Sequence, residues 1–208
     1  MSNSKLVDYK RLSPNYSSRN GNKISVITIH HCAGNLSLQA LGNIFADPNR
    51  EASANYGIDS SGRVGLFVPE EYRSWCSSNA ANDEKAVTIE CSNDGGATNW
   101  HVSDKTIAKL IDLCVDICER NGISKLNYTG DTTGNLTRHN MFVATTCPGP
   151  YLQSKLGYIA NEVNKRLAKS GTVYQVVTGS FGVKANAEKR VAELKAKGYD
   201  SFIQIKNL

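Results

Sequence analysis

The 208-residue sequence lacks several features that would place it in a specialised class. No apolar run approaches the roughly 20 residues needed to cross a bilayer. The polar N-terminus contains no hydrophobic segment of the kind found in signal peptides. There is no repeat, no low-complexity segment and no motif typical of proteins that read DNA or RNA. We therefore expect a protein made in the cytoplasm, with no membrane insertion and no nucleic-acid partner.

The cysteines lack the paired spacing of a small disulfide-bonded domain. There are six of them, at positions 32, 76, 91, 114, 118 and 147. Cys114 and Cys118 lie four residues apart on the apolar side of a predicted helix, which is typical of free thiols that act as small core residues. Free thiols imply folding in a reducing compartment.

The composition is that of a soluble globular protein, with 40% hydrophobic and 21% charged residues. The length suits one α/β domain with a small appendage. The net charge is +5, and residues 171–208 supply +3 of it because they carry six Lys/Arg against three Asp/Glu. A basic excess suits an anionic surface such as a cell wall, although it is also ordinary for a solvated protein surface.

Hydrophobic periodicity predicts an α/β fold built from several strands and helices. The predicted strands are residues 24–29, 55–59, 63–68, 86–91 and 126–129, with a hairpin turn at 60–62. Ser37 and Ser103 are predicted helix N-caps, and a third helix covers residues 151–168. We interpret residues 1–22, 73–85 and 130–137 as an arm or loops.

The C-terminal part has its own pattern. Residues 169–172 are a predicted linker, and a strand (173–178), a helix (185–197) and a second strand (199–205) follow. This predicts a small C-terminal β-α-β segment, which is too short to form a self-sufficient core.

One stretch beyond the middle of the chain contains candidate catalytic or metal-binding residues. His139 is followed eight residues later by Cys147, which stands just ahead of the Pro-Gly-Pro start of a predicted helix. The helix N-terminus should favour the thiolate of Cys147. With His30 at a strand end, these residues form a possible His₂Cys set with one open position, as in catalytic zinc sites. The spacing alone leaves structural roles open.

Glu90 lies inside an otherwise apolar strand. A carboxylate in that position needs a reason, because burial of an unpaired charge is costly. It is either a second functional group near the His₂Cys set or a carboxylate paired with a nearby Lys or Arg.

Several motifs together resemble a known family. They are Thr28–His31, Asn55–Asp59 with Gly62–Val64, Thr88–Glu90, and His139 with Cys147–Gly149. In this order they are similar to zinc-dependent N-acetylmuramoyl-L-alanine amidases, which share their fold with peptidoglycan-recognition proteins. Residues 103–122, 134–139 and 148–164 especially resemble endolysins of phages and prophages of Gram-positive bacteria. The resemblance covers residues 6–168. It implies an α/β fold with a mixed central β-sheet flanked by helices, and a catalytic domain at 1–168.

The resemblance implies one Zn²⁺ per chain, held by His30, His139 and Cys147, with Glu90 as general base. His31 matches a variable neighbour and would point to the other face of its strand. Two positions depart from the family. Cys76 stands where many members have a histidine that contacts substrate, and Thr145 stands where some have a lysine. Thr145 is then the expected, weak, oxyanion donor.

Two aromatic residues, Tyr56 and Trp75, are candidate substrate-binding groups in the groove. As isolated aromatics they are equally consistent with core positions.

The implied function is that of an endolysin. It would cleave the amide bond between N-acetylmuramic acid and L-alanine in peptidoglycan with a zinc-activated water, after release through a holin-type membrane-permeabilising partner. Two alternatives stay open. One is a cell-wall cysteine peptidase with Cys147 as nucleophile and His139 as base. The other is a peptidoglycan-binding protein without catalytic activity.

Residues 173–208 resemble the first half of a SPOR domain, a glycan-binding module. Three interpretations are open: a truncated module, a half-module packed on the catalytic domain, or two chains that pair their halves. Pairing into a homodimer is favoured because it closes the edge of the sheet and gives bivalent wall binding.

Overall fold

A computed structural model describes residues 2–170 and 177–205. The chain divides into two compact units, residues 1–171 and residues 172–208. The first unit carries the sheets and most of the helices. No helix in the described ranges is both long and apolar enough to cross a bilayer.

The described residues contain eight strands. They are β1 (Val7–Lys10), β2 (Tyr16–Ser18), β3 (Val26–His31), β4 (Tyr56–Ile58), β5 (Val64–Leu66), β6 (Tyr72–Ser74), β7 (Ala86–Cys91) and β8 (Leu136–Arg138). Six of them form a mixed central sheet in the order β1-β5-β4-β7-β3-β8. Only the β4–β5 pair in this sheet is antiparallel, while β2 and β6 form a separate antiparallel pair.

The α-helices are α1 (Leu38–Ala46), α2 (Ala80–Asp83), α3 (Asp104–Asn121), α4 (Pro150–Ser170) and α5 (Lys184–Ala196). Single 3₁₀ turns lie at Pro48–Arg50 and His139–Met141. Both predicted N-caps are confirmed, because Ser37 accepts a hydrogen bond from the amide of Ala40 and Ser103 accepts one from that of Thr106. At the other end of α3, Gly122 adopts the left-handed conformation of a C-cap.

The main core lies between the central sheet and helices α3 and α4. Ile29 of β3 and Ile89 of β7 are fully buried in it, and so are Cys114 and Cys118, the free thiols predicted as small core residues. A second cluster joins α1 to Phe67. Since strand side chains alternate, His30 and Glu90 point to the face opposite Ile29 and Ile89.

The mixed central sheet flanked by helices confirms the predicted fold class. Strand 86–91, the 55–68 hairpin and helices α1, α3 and α4 also form where the sequence predicted them. The hairpin closes with a hydrogen bond from the Asp59 amide to the Arg63 carbonyl.

Some short elements differ from the prediction. Residues 126–129 are not a strand: Leu126 is buried, and Asn164 of α4 hydrogen-bonds its backbone. The strand is instead β8, in the stretch interpreted as a polar loop, and β1, β2 and part of β6 fall in stretches also interpreted as loop. These strands have three or four residues, so an alternating pattern has little room to show.

The second unit is described only in part. Helix α5 nearly coincides with the predicted helix 185–197, but residues 199–205 form no strand. Most of the predicted strand 173–178 and half of the predicted linker 169–172 lie outside the described residues, while Lys169 belongs to α4. No residue within 177–205 is buried.

Candidate metal centre and groove

Three side chains from distant parts of the chain converge at one end of the sheet. His30 is at the end of β3, His139 begins the turn after β8, and Cys147 precedes α4. Their donor atoms all lie within 4.8 Å of one another. The Sγ atom of Cys147 is 3.6 Å from Nδ1 of His30. Two donors bound tetrahedrally to one zinc ion at its usual bond lengths would be about 3.6 Å apart.

The sheet topology explains this convergence. Strand β3 runs parallel to both β7 and β8, so the carboxyl ends of three strands meet there. Ile29 pairs with Arg138, which places His30 beside His139. Their ring centroids are 4.7 Å apart.

Backbone hydrogen bonds hold the loop that carries Cys147. The Asn140 amide donates to the Cys147 carbonyl at 3.1 Å, and the Cys147 amide donates to the Thr145 hydroxyl at 3.3 Å. The His31 amide donates to Cys147 Sγ at 3.4 Å. The His31 ring packs edge-on against Trp100.

The two histidines are prepared to act as neutral ligands. Burial lowers the pKa of His30, helped by the neighbouring His139 and His31, and burial also lowers the pKa of His139. Each ring therefore keeps a lone pair at neutral pH. Nε2 of His30 and Nε2 of His139 are buried and have no hydrogen-bond partner among the described residues. Two imidazoles and one thiolate are a donor set that zinc prefers, so the residues fit the metal.

Cys147 differs from the sequence-based expectation. The helix N-terminus was expected to favour its thiolate, but burial and the nearby Glu90 raise the pKa of Cys147. Desolvation disfavours the charged thiolate of a buried cysteine. A cation bound by Cys147 would reverse this balance, because a coordinating thiol is deprotonated.

Glu90 lies next to the three donors. It is directly opposite His30 in the register of the parallel β3–β7 pair. Its Oε2 atom is buried and has no hydrogen-bond partner in the part of the chain that the structure describes. Burial raises the pKa of Glu90 to about 7. None of the ion pairs among the described residues involves Glu90, so the predicted alternative of a structural Lys or Arg partner is not seen.

A groove of about 630 Å³ opens onto these residues. Helix α1 and the segment after it form one wall, and residues 73–80 form another. Glu90, His139, Thr145, Cys147 and Trp75 all line it. Trp75 donates from its indole nitrogen to the Ser17 hydroxyl at 3.0 Å, which fixes the ring at the groove.

Tyr56 is not in the groove. Its side chain is fully buried, and its hydroxyl donates to Glu70 at 2.6 Å and accepts from the Ser4 amide. The sequence left open whether Tyr56 lies in the groove or in the core, and in the structure it lies in the core.

Sequence reasoning did not single out two arginines of the groove. Arg50 and Arg73 line it, and Nε of Arg73 is buried without a hydrogen-bond partner. Cys76, noted only as a departure from the family, lies with its Sγ 4.0 Å from Oε1 of Glu90. No local pattern marks these residues, since their positions depend on how the loops fold over the sheet.

Fold and site together define an α/β protein with a candidate hydrolytic metal centre at the carboxyl ends of parallel strands. The sequence profile of the family N-acetylmuramoyl-L-alanine amidase matches residues 20–150. The chain belongs to this family. A SPOR domain profile matches residues 152–206, so that match begins inside α4. No match was found among curated proteins.

Solved structures with a similar fold include proteins described as an amidase and as a hydrolase. PlyL has a TM-score of 0.58 and 19% identity, covering 79% of this chain and 98% of its own. The hydrolase AmiA of Staphylococcus aureus, solved with its ligand, has a TM-score of 0.63 and 19% identity, covering 83% and 88%. The amidase LysC of Clostridium intestinale has a TM-score of 0.53 and 20% identity, covering 73% and 94%. At these identities the likeness shows the fold.

Proposed function

We propose that the protein is a zinc-dependent N-acetylmuramoyl-L-alanine amidase that cleaves peptidoglycan. His30, His139 and Cys147 would hold one zinc ion, and Glu90 would be the general base. The observation that carries this proposal is the convergence of the three donors beside the Glu90 carboxylate, whose Oε2 atom is buried and which forms no ion pair with the residues that the structure describes. Family membership supports the amide bond as the target.

Bound zinc supplies Lewis acidity toward the amide carbonyl and makes water a better nucleophile at neutral pH. Glu90 takes a proton from the attacking water and gives it to the amine of L-alanine as the carbon–nitrogen bond breaks. The pKa of Glu90, which burial raises to about 7, suits both steps because the carboxyl group can lose and regain a proton near neutral pH. The Thr145 hydroxyl, which lines the groove, is the proposed donor to the oxyanion.

The groove supports a glycopeptide as substrate. Trp75 offers an aromatic surface for a sugar or a peptide, and Arg50 and Arg73 are cationic groups for the carboxylates of a stem peptide. These residues lie around the same opening as Glu90, so one ligand can reach all of them.

The cysteine-peptidase alternative has less support. A nucleophilic cysteine needs a lowered pKa, whereas burial raises the pKa of Cys147. The experiment below separates this alternative from the zinc amidase.

The decisive experiment digests purified cell walls with and without a zinc chelator and identifies the new free amino ends. The amidase gives new N-terminal alanine, which disappears with chelator and returns with added zinc. A Cys147→Ser variant should lose the activity, because the proposed catalytic zinc loses its sulfur ligand, while Cys32→Ser, outside the three donors, should keep it. New ends elsewhere, unaffected by chelator, would identify a Cys147 peptidase. Wall binding without new ends would identify a recognition protein.

We also propose that residues 172–208 bind the wall and pair two chains. The SPOR match supports a glycan partner. Seven of the eleven exposed large hydrophobic side chains among the described residues lie in 177–205, which supports a partner surface for this unit. Light scattering at tens of micromolar tests the pairing: a dimer supports it, and a monomer rejects it.

An endolysin role is the last part of the proposal. One structural neighbour is described as an endolysin amidase of Clostridium intestinale. The protein would be made in the cytoplasm and would reach the wall through a holin-type pore. Expression in a Gram-positive host with and without such a pore tests this, because lysis should require the pore.

A further inference from the structure

A second set of metal-binding atoms lies beside the first. A ring nitrogen of His30, Sγ of Cys76 and a carboxylate oxygen of Glu90 all lie within 4.8 Å of one another. His30 belongs to both sets, whereas Cys76 and Glu90 belong only to the second. Imidazole, thiolate and carboxylate are all donors that zinc and similar cations accept.

Hydrogen bonds to the side chain of Asp83 hold the loop around Cys76 in place. Oδ2 of Asp83 accepts from the amides of Cys76 and Ser77 at 3.1 and 3.0 Å. Oδ1 of Asp83 accepts from the Ser77 hydroxyl at 2.6 Å, and the Asp83 residue is only 2% exposed. The hydrogen bonds to buried Asp83 therefore fix the backbone of Cys76 at the groove.

Unpaired polar atoms point to a ligand at this place. His30 is 1% exposed, and its Nε2 has no hydrogen-bond partner within residues 2–170 and 177–205. The buried Oε2 of Glu90 has none in these ranges either. Buried polar atoms without partners are costly, and a shared cation would satisfy both groups at once.

The two sets cannot be filled together through His30. A neutral imidazole has one lone pair, because its other ring nitrogen carries the proton. One cation on His30 therefore belongs either to the set with His139 and Cys147 or to the set with Cys76 and Glu90.

We propose that His30, Cys76 and Glu90 form a second metal position, exclusive with the first, for a thiophilic divalent cation such as Zn²⁺ or Co²⁺. Binding there releases the thiol proton of Cys76 to solvent and uses the Glu90 carboxylate as a ligand. The binding claim is independent of the proposed function. Its consequence rests on that function: a metal in this position occupies the general base, so the enzyme would be held inactive.

Cobalt spectroscopy tests the second position without measuring activity. In a Cys147→Ala variant the first set has lost its sulfur, so a near-ultraviolet thiolate-to-cobalt band can arise only from another cysteine. We expect this band with added Co²⁺, and we expect its loss in C147A/C76S. The matched control C147A/C32S should keep the band, because Cys32 lies near Glu90 but outside the set.

Circular dichroism and urea unfolding check that each variant folds, and Cys147→Ser replaces Cys147→Ala if the latter does not. No sulfur band in the folded single variant, or a band that persists in C147A/C76S, would overturn the proposal. In the wild-type chain, titration should end at one tightly bound Co²⁺. Two tightly bound ions would overturn the exclusive relationship. None of these outcomes depends on whether peptidoglycan is cleaved.

Discussion

At the scale of single residues, Glu90 tests the proposed chemistry most directly. The change Glu90→Gln keeps the shape but removes the base, so we expect kcat to fall by about 10²–10⁴-fold. Zinc content should stay near one per chain, because His30, His139 and Cys147 remain. Activity on purified walls and metal analysis check both outcomes. Glu51→Gln is the matched control, since Glu51 lines the groove outside the metal centre. Activity retained by Glu90→Gln would exclude its role as base.

Tyr56 is a residue whose role changes between sequence and structure. Tyr56→Phe removes the hydrogen bonds to Glu70 and the Ser4 amide, so we expect a loss of about 1 kcal/mol in the free energy of unfolding. KM should not change, because the side chain does not reach the groove. Trp75→Phe provides the contrast, with a raised KM and little loss of stability. If Tyr56→Phe instead raised KM and left the free energy of unfolding unchanged, Tyr56 would be a substrate-binding residue after all.

The grouping of the candidate metal-binding residues was easier to predict from sequence than their surroundings. His30, His139, Cys147 and Glu90 stand within motifs that resemble a family, so the sequence could group them. The electrostatics of Cys147 could not be predicted in the same way. Its position before a helix is local, whereas its raised pKa comes from burial in the folded chain and from the charge of Glu90, which is distant in sequence.

At the scale of elements, length decides what the sequence could predict. Helix α3 has 18 residues, a buried stripe, a Ser103 cap and a Gly122 stop, so several signals agree. Strand β8 has three residues in a polar stretch, and its pairing with β3 involves residues about 110 positions away. Such a strand is defined by its partner more than by its own sequence.

The hairpin between β4 and β5 gives a prediction about pH. The Asp59 carboxylate accepts from the Ser61 hydroxyl and the Arg63 amide and pairs with the Arg63 guanidinium. Burial raises the pKa of Asp59, but these contacts outweigh it and hold the pKa below its usual value of 3.8. The stabilisation is therefore present above that value and is lost as the pH falls through the lower, folded-state pKa.

We accordingly expect Asp59→Asn to cost about 1 kcal/mol of unfolding free energy at pH 7, with a smaller cost at pH 3. Urea unfolding at the two pH values measures the difference. Asp200→Asn, at an exposed position of the second unit, should change neither value. An equal cost at both pH values would mean that the carboxylate charge at Asp59 does not contribute.

At the scale of the whole molecule, two boundaries disagree. The chain divides near residue 171, but the SPOR match begins at residue 152, inside α4. Five side chains of α4 are buried in the main core: Leu152, Leu156, Ile159, Ala160 and Val163. The packing of α4 therefore favours assigning it to the catalytic unit, whatever part of it resembles the second family.

Two truncations decide between these boundaries. A chain ending at residue 171 should keep its unfolding midpoint and its amidase activity while binding walls more weakly, because no residue within 177–205 is buried. A chain ending at residue 151 loses the buried side chains of α4. At about 1.5–3 kcal/mol for each large one, this loss is comparable to the whole stability of a domain, so we expect it not to fold. Circular dichroism, urea unfolding and wall binding measure the three properties. If the chain ending at residue 151 folded and the chain ending at residue 171 did not, the boundary between the two units would lie at the start of α4.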